Sequence, residues 1–156
     1  MFELDIPGFG PVQLLHLVSD FTGTLSMDGR LLPGIRDRLN AIASFMQIHI
    51  LTADTFGMAK AELADVSCDI FILMGDNHDA QKEEYVRKLG VERVIAFGNG
   101  NNDRRMIKVA KVGMAVSQGE GCSVEALLAA NVHVTSADIG LDLLLHPKRL
   151  KATLRF

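Results

Sequence analysis

The chain has 156 residues, of which 48% are hydrophobic and 22% charged, and its formal net charge at pH 7 is −3. This length fits one domain spanning residues 1–156, and the composition is that of a globular protein. A mildly acidic chain without a basic block or a tryptophan argues against nucleic-acid binding. The apolar runs are short, the N-terminus lacks the basic start of a signal peptide, and the two cysteines form no metal-type cluster. We therefore expect a cytoplasmic protein with no membrane partner.

Alternating apolar and polar segments predict the elements in chain order. Residues 2–6 and 12–18 flank a Pro-Gly turn and predict a hairpin leading to Asp20, and residues 27–30 predict a second turn, a small flap. Further strands are predicted at 48–51, 69–73, 91–97, 112–116 and 132–134. Helices are predicted after Pro33-Gly34, at 57–66, 80–89, 103–110, 123–130 and 138–145, and from Pro147. This alternation predicts an α/β, Rossmann-like, doubly wound parallel sheet with helices on both faces.

The segment that ends at Asp20 carries the strongest functional signal. Five mostly apolar residues precede it, which is typical of a strand buried on both faces of a parallel sheet. Ligands of open parallel sheets bind beyond the carboxyl ends of the strands. Asp20 is therefore a candidate nucleophile, metal ligand or both, and an Asx-turn is the plainer alternative.

Polar residues follow other predicted strands in the same way. They are Thr52 with Asp54, Lys82 at a helix start, and Asn99 with Asp103. Parallel topology brings these loops to one edge of the sheet, where their chemistry suggests phosphoryl transfer. Lys60 or Lys88 could replace Lys82, and Asp54 could either face the site or cap the next helix.

Phosphoryl transfer assigns each residue a role. Asp20 would attack phosphorus and become an aspartyl-phosphate, and Mg²⁺ would bridge Asp20 and the phosphate with Asp103 as a second carboxylate. Thr52 would donate its hydroxyl to a phosphate oxygen, and Lys82 would neutralise charge on the aspartate and the phosphate. Backbone amides of Phe21 and Ala53 would complete the phosphate cradle.

Three motifs resemble one superfamily. Asp20-Phe21-Thr22-Gly23-Thr24-Leu25 resembles the first motif of the haloacid dehalogenase (HAD) superfamily, and more narrowly the Asp-Lys-Thr-Gly-Thr signature of the P-type ATPase phosphorylation domain. Leu51-Thr52-Ala53-Asp54 is similar to the Leu-Thr-Gly-Asp motif of those proteins, and residues 98–103 resemble their Gly-Asp-Gly-x-Asn-Asp loop. The resemblance covers roughly residues 14–145, and the spacing between motifs leaves no room for a cap domain.

The resemblance implies a soluble, capless, P-type ATPase-like phosphatase and assigns its site residues. The catalytic residues would be Asp20, Thr22, Thr52 and Lys82. The Mg²⁺ ligands would be Asp20, Thr22, Asn99 and Asp103. The phosphate-binding residues would be Phe21, Thr52, Ala53, Lys82 and Asn102. Substrates would be small phosphomonoesters or a phosphorylated macromolecule, and a homo-oligomer stays open because a neighbouring subunit can act as the missing lid.

Two positions depart from the family pattern. Thr22 stands where HAD phosphatases usually carry a second Asp as general acid and base, which predicts slow turnover. Asn99 replaces a carboxylate that normally helps to hold magnesium, which predicts weaker metal binding. The alternative hypothesis is a regulatory phospho-acceptor or phosphate-binding module with little or no turnover.

Overall fold

A computed structural model of the chain describes residues 1–55 and 57–156. The strands are β1 (Phe2–Ile6), β2 (Gly10–Leu14), β3 (His16–Asp20), β4 (Ser26–Met27), β5 (Arg30–Leu31), β6 (Gln47–Thr52), β7 (Asp69–Ile72), β8 (Val94–Gly98), β9 (Val112–Val116) and β10 (Val132–Val134). The α-helices are α1 (Ile35–Ala43), α2 (Met58–Glu62), α3 (His78–Leu89), α4 (Arg104–Val109), α5 (Val124–Ala129), α6 (Ala137–Leu145) and α7 (Pro147–Leu154). Two 3₁₀ turns, Val91–Arg93 and Asn101–Asp103, precede β8 and α4.

Six strands form the central sheet in the order β10-β9-β8-β3-β6-β7, and every pair in it is parallel. Helices α1, α6 and α7 pack on one face with the β1–β2 hairpin, and α3, α4 and α5 pack on the other. Each face has its own buried apolar cluster, which excludes water from both sides of the strands. The predicted doubly wound α/β fold is therefore confirmed.

The connections between the strands are short. Besides the central sheet, the described residues form two small hairpins, β1–β2 and β4–β5, and no inserted cap domain interrupts them. None of the helices in the described ranges combines the length and apolarity needed to cross a membrane.

Residues 12–18 were predicted to form one strand, and this prediction is wrong. The chain leaves the β1–β2 hairpin at Leu15 and enters the central sheet as β3. The Leu15 amide donates to the Arg93 carbonyl, and the Leu15 carbonyl accepts from the Gln47 amide, each at 2.9 Å. Leu15 thus changes partners between two sheets, and this change depends on distant strands that local hydrophobicity does not reveal.

Two other predicted boundaries shift. The helix expected at 57–66 is α2, which ends at Glu62 and is followed by turns that still bury Val66. The strand expected from residue 91 begins at Val94, because Gly90, at φ +94°, starts a 3₁₀ turn whose Arg93 amide donates to the Gly90 carbonyl.

The predicted flap is confirmed as the hairpin β4–β5. Its two turn residues, Asp28 and Gly29, both have positive φ, as a tight two-residue hairpin turn requires. The side chain of Met58 packs against Gly29, and the Leu31 amide donates to Glu62 at 3.0 Å. The flap is therefore fastened to α2 at the mouth of the cleft described below.

Gly113 of β9 provides a test of the packing between the sheet and α4. A Cβ at this position would lie 2.3 Å from the backbone carbonyl oxygen of Ile107, so α4 would have to move. We expect Gly113→Ala to lower the free energy of unfolding by about 1–3 kcal/mol. Urea denaturation measures this change.

Gly100→Ala is the matched control, because Gly100 has φ −104° and its Cβ would meet no atom closer than 3.4 Å. We expect its effect to stay within about 0.5 kcal/mol. Equal losses in both variants would contradict the packing argument.

Candidate active site

A cleft of about 600 Å³ opens at the carboxyl edge of the sheet, where β3 lies between β6 and β8. The chain builds β6 and β7 on one side of β3 and then crosses to build β8, β9 and β10 on the other. Such a switch in strand order leaves a crevice for ligands. Eight of the predicted site residues line the cleft: Asp20, Phe21, Thr22, Thr52, Ala53, Lys82, Asn99 and Asn102.

Lys82 links the elements of the site. Its ammonium donates to Asp20 Oδ1 at 2.8 Å and to Asp103 Oδ1 at 2.7 Å, and Asn102 Oδ1 lies 3.4 Å away. Lys82 is 1% exposed, and Asp103 is fully buried. A lysine buried to this degree needs such partners, because an isolated charge in the interior costs several kcal/mol. Of the two alternative lysines, Lys88 pairs with Glu84 and Lys60 does not line the cleft.

The charges in this cluster do not balance, because two carboxylates share one ammonium. Burial and the neighbouring Asp103 charge raise the pKa of Asp20 to about 7, against the opposing effects of Lys82 and Thr24. Burial works against the charged form of Lys82, yet the two carboxylates raise its pKa above the ordinary value. The lysine therefore stays protonated, while the site as a whole carries an excess of negative charge.

Asp103 has both carboxylate oxygens occupied. Oδ1 accepts from Lys82, and Oδ2 accepts from the backbone amides of Asn99 and Gly100, each at 2.9 Å. Gly98 lies so close to this side chain that an added Cβ would sit 2.4 Å from the Cβ of Asp103. Asp103 thus fixes the loop after β8 and orients Lys82.

The loop after Asp20 folds around one carbonyl. The oxygen of Phe21 accepts from the amides of Thr24, Leu25 and Ser26 and from the Ser26 hydroxyl. This places the buried Thr24 hydroxyl 3.1 Å from both Asp20 Oδ2 and Asn99 Oδ1. Thr24 is a site residue that sequence reasoning missed, although the motif around Asp20 contained it.

The loop after β6 forms the second wall. Thr52 is 4% exposed, and its hydroxyl oxygen accepts from the Asp54 amide at 3.2 Å, so its proton can point into the cleft. Asp54 accepts from the Ala59 amide at 2.7 Å and thereby caps the start of α2. The sequence left open whether Asp54 faces the site or caps the next helix. The structure shows the capping contact, and Asp54 also lines the cleft.

A turn from the other half of the sheet closes the third side. The Gly121 amide donates to the Gln118 carbonyl at 2.7 Å, and the Gln118 side chain donates to the carbonyls of Gly23 and Thr24. Gly121 in turn accepts from the Asn99 side chain at 3.2 Å. This turn, residues 118–121, places Glu120 at the cleft. Its attachments are long-range, and no motif in the sequence marked it.

The donor set for a metal is small. Across the described ranges, no group of three or more His, Cys, Asp or Glu side chains is arranged to hold a metal ion. Oxygens of Asp20 and Asn99 do face one shared hydroxyl, that of Thr24, and exposed Thr22 lies beside them in the cleft. A single hydroxyl proton can serve one acceptor at a time, so one of these oxygens keeps its lone pair free. Magnesium uses few protein oxygens and retains waters, which fits this set.

Comparison with known proteins gives the family. A model described as haloacid dehalogenase-like hydrolase matches residues 79–138. The "Uncharacterized protein MJ0073" of Methanocaldococcus jannaschii is 40% identical over 73 residues, which are 47% of this chain and 78% of that protein. The "Probable copper-transporting ATPase HMA5" of Arabidopsis thaliana is 29% identical over 135 residues, which are 81% of this chain but only 13% of that protein.

Solved structures share the fold. A 3-deoxy-D-manno-octulosonate 8-phosphate phosphatase from Moraxella catarrhalis, solved with magnesium, phosphate and KDO, superposes with a TM-score of 0.66 at 18% identity. The match covers 91% of this chain and 94% of that one, so the two folds correspond almost throughout. The predicted resemblance is confirmed: the chain belongs to the haloacid dehalogenase-like hydrolases.

Proposed function

We propose that this hydrolase is a magnesium-dependent phosphatase that works through an aspartyl-phosphate on Asp20. The observation that carries the proposal is the Asp20 carboxylate at the floor of the cleft, held between Lys82 and Thr24. Two hydrogen bonds fix its direction, while its side chain keeps 11% exposure toward the cleft. A fixed carboxylate with limited access is suited to in-line attack on a phosphoryl group.

In the first step a carboxylate oxygen of Asp20 forms a bond to phosphorus, and the bond from phosphorus to the leaving oxygen breaks. Lys82 offsets negative charge at the acyl-phosphate, and the hydroxyl of Thr52 donates to a phosphoryl oxygen. Amides of Phe21 and Ala53, with the side chain of Asn102, complete the set of donors around the phosphate. The leaving oxygen takes its proton from solvent, since Thr22 has none to give near neutral pH.

Magnesium would be held by oxygens of Asp20, Thr22 and Asn99, and when bound it would neutralise charge on the phosphoryl oxygens. Asp103 was expected among these ligands. That expectation stays a prediction, but Asp103 is fully buried and, unlike Asp20, does not line the cleft, so we propose that it positions Lys82 and the loop after β8.

In the second step water attacks phosphorus and releases inorganic phosphate from Asp20. A general base in this step contributes about 10²–10⁴-fold, and Thr22 cannot act as one. Slow dephosphorylation follows, and this supports a second candidate function, a phospho-acceptor or phosphate-binding module with little turnover.

We further propose that residues 1–156 act as one catalytic domain in the cytoplasm. Its substrate would be a small phosphomonoester, in line with the phosphatase that shares its fold. A phosphorylated macromolecule is the other substrate that an uncapped cleft admits, and a second copy of the chain could serve as its lid.

The first prediction concerns the nucleophile. Asp20→Asn keeps the shape of the side chain but removes the attacking oxygen, so hydrolysis of p-nitrophenyl phosphate with Mg²⁺ should be abolished. Asp65→Asn, the same change at an exposed carboxylate before β7, should keep the wild-type rate. A wild-type rate in a folded Asp20→Asn protein would contradict the mechanism.

The Asp20→Asn variant also tests the raised pKa of Asp20, because this pKa makes the free energy of unfolding depend on pH. The folded state raises the pKa of Asp20 from 3.8 to about 7, so between these values the folded state binds more protons here than the unfolded state. The contribution of Asp20 to the free energy of unfolding therefore falls as the pH rises through this window. In EDTA, Asp20→Asn should gain stability relative to wild type from about pH 4 to pH 7 and then stay level. Urea denaturation across this pH range measures the difference in the free energy of unfolding between the two proteins. A difference that shrinks as the pH rises would contradict the raised pKa of Asp20.

The second prediction concerns the metal. Asn99→Asp adds an anionic oxygen next to Asp20, so the Mg²⁺ titration of activity should reach its midpoint at a lower concentration. Asn101→Asp adds the same charge at an exposed position of the same loop and is the control. Equal midpoints in both variants would show that Asn99 does not contact the metal.

The third prediction concerns Thr22. Thr22→Asp supplies a base for the attacking water, so the phospho-enzyme should decay faster and steady-state turnover should rise about tenfold. Pre-steady-state burst kinetics and the decay of labelled phospho-enzyme measure both steps. Thr22→Asn controls for size and polarity without a base. A wild type with no burst, together with a Thr22→Asp protein that decays no faster, would favour the binding module.

A further inference from the structure

We propose that the mouth of the cleft selects phosphomonoesters whose leaving group is uncharged or cationic, and that it discriminates against leaving groups bearing a carboxylate or a second phosphate. This inference rests on the proposed phosphatase function and adds a substrate class to it. Two observations carry it, the charges that line the cleft and the attachments of the turns that bear Asp28 and Glu120. The in-line geometry of phosphoryl transfer connects them to the leaving group.

The charges that line the cleft are mostly negative. Besides Asp20, the carboxylates of Asp28, Asp54 and Glu120 line it. Among the described lining residues, Lys82 is the one Lys or Arg side chain, and it already contacts Asp20 and Asp103. The described lining therefore offers no further Lys or Arg side chain to pair with an anionic group on the leaving side of the substrate.

Asp28 is held in place by the flap. It has φ +52° in the β4–β5 turn, and Gly29 next to it packs against Met58. Asp28 is exposed and makes no ion pair with any residue that the structure describes. Arg30 follows in the same hairpin but does not line the cleft.

Glu120 is held in place by the turn of residues 118–121, which contacts the flap. Its neighbour Gly119 lies against the side chain of Met27 in the flap, and its other neighbour Gly121 accepts from Asn99. The Gln118 side chain joins the same turn to the carbonyl of Thr24 and to the amide of Ala137. Glu120 is exposed and, within the described ranges, has no ion-pair partner. The turn thus presents an uncompensated carboxylate at the mouth.

In-line attack places the leaving group opposite Asp20. Asp20 keeps only 11% exposure whereas Asp28 and Glu120 are exposed, so the leaving group points outward, to the solvent side of the cleft that these two carboxylates line. A like charge there is repelled by both carboxylates, by about three- to tenfold in binding for each at a partly exposed site. A hydroxyl or an ammonium meets no such repulsion.

Two substrates of nearly equal size provide the test. Glycerol 3-phosphate and 3-phosphoglycerate differ in one terminal group, a hydroxymethyl in the first and a carboxylate in the second. At pH 8 we expect kcat/KM to favour glycerol 3-phosphate by at least about tenfold. The ratio should shrink in about 0.5 M salt, because salt screens exposed charges.

Variants show whether the two carboxylates cause the ratio. Glu120→Gln and Asp28→Asn should each lower the ratio of the two kcat/KM values by about threefold. The double variant should bring this ratio close to one. Asp65→Asn, the same charge change away from the cleft, should leave the ratio as it is. Asn tolerates the positive φ of position 28, so the flap turn is kept.

The outcomes separate this inference from the proposed function. Equal rates with both substrates, or a preference for 3-phosphoglycerate, would overturn the inference and leave the phosphatase in place. If neither compound is hydrolysed, their inhibition constants against p-nitrophenyl phosphate should show the same order, and the reverse order overturns the inference. An enzyme that hydrolyses none of the three contradicts the phosphatase function itself.

Discussion

The structure depends on one buried ammonium shared by two carboxylates. Lys82 of α3 contacts the end of β3 through Asp20 and the loop before α4 through Asp103, so this side chain links α3 to the carboxyl edge of the sheet. The three charges sum to one negative charge in a nearly dry site. Burial of Asp20, together with the neighbouring charge of Asp103, raises the pKa of Asp20. The excess negative charge would repel a phosphate dianion, which supports the proposal that magnesium accompanies the phosphate.

The sheet topology determines which residues can join this cluster. Because β3 lies between β6 and β8, the loops that follow these three strands meet at one edge, although Asp20 and Asp103 are 83 positions apart. Hydrogen bonds within each loop then hold its backbone in place, through the Phe21 carbonyl in one loop and the Asp103 carboxylate in another. The cleft is therefore formed by backbone that is already fixed, so little ordering is needed when a ligand binds.

The sequence could predict the parts of this arrangement that follow from periodicity and parallel topology. Asp20, Thr52, Lys82 and Asn99 each follow or face a strand end, and this pattern was enough to place them together. Thr24 was missed as a site residue because its second partner, Asn99, is 75 residues away. The turn that carries Glu120 was missed for the same reason, and the division of the first strand at Leu15 depends on Arg93 and Gln47. Pairings between distant residues leave no periodic signal, so only the folded chain shows them.

The acidic mouth and Asn99, one of the two departures from the family pattern, fit one electrostatic account. In the proposed mechanism Asn99 supplies a neutral oxygen where the family pattern has a carboxylate, which would lower the negative charge next to a bound magnesium ion. Asp28 and Glu120 add negative charge to the cleft lining, and this charge would attract a divalent cation from a distance. The same charge would oppose the approach of a dianionic substrate, and a bound magnesium ion would offset part of that repulsion. An acidic cleft of this kind would bind anions more weakly but would discriminate among their leaving groups. An open, uncapped site has few other means of choosing a substrate.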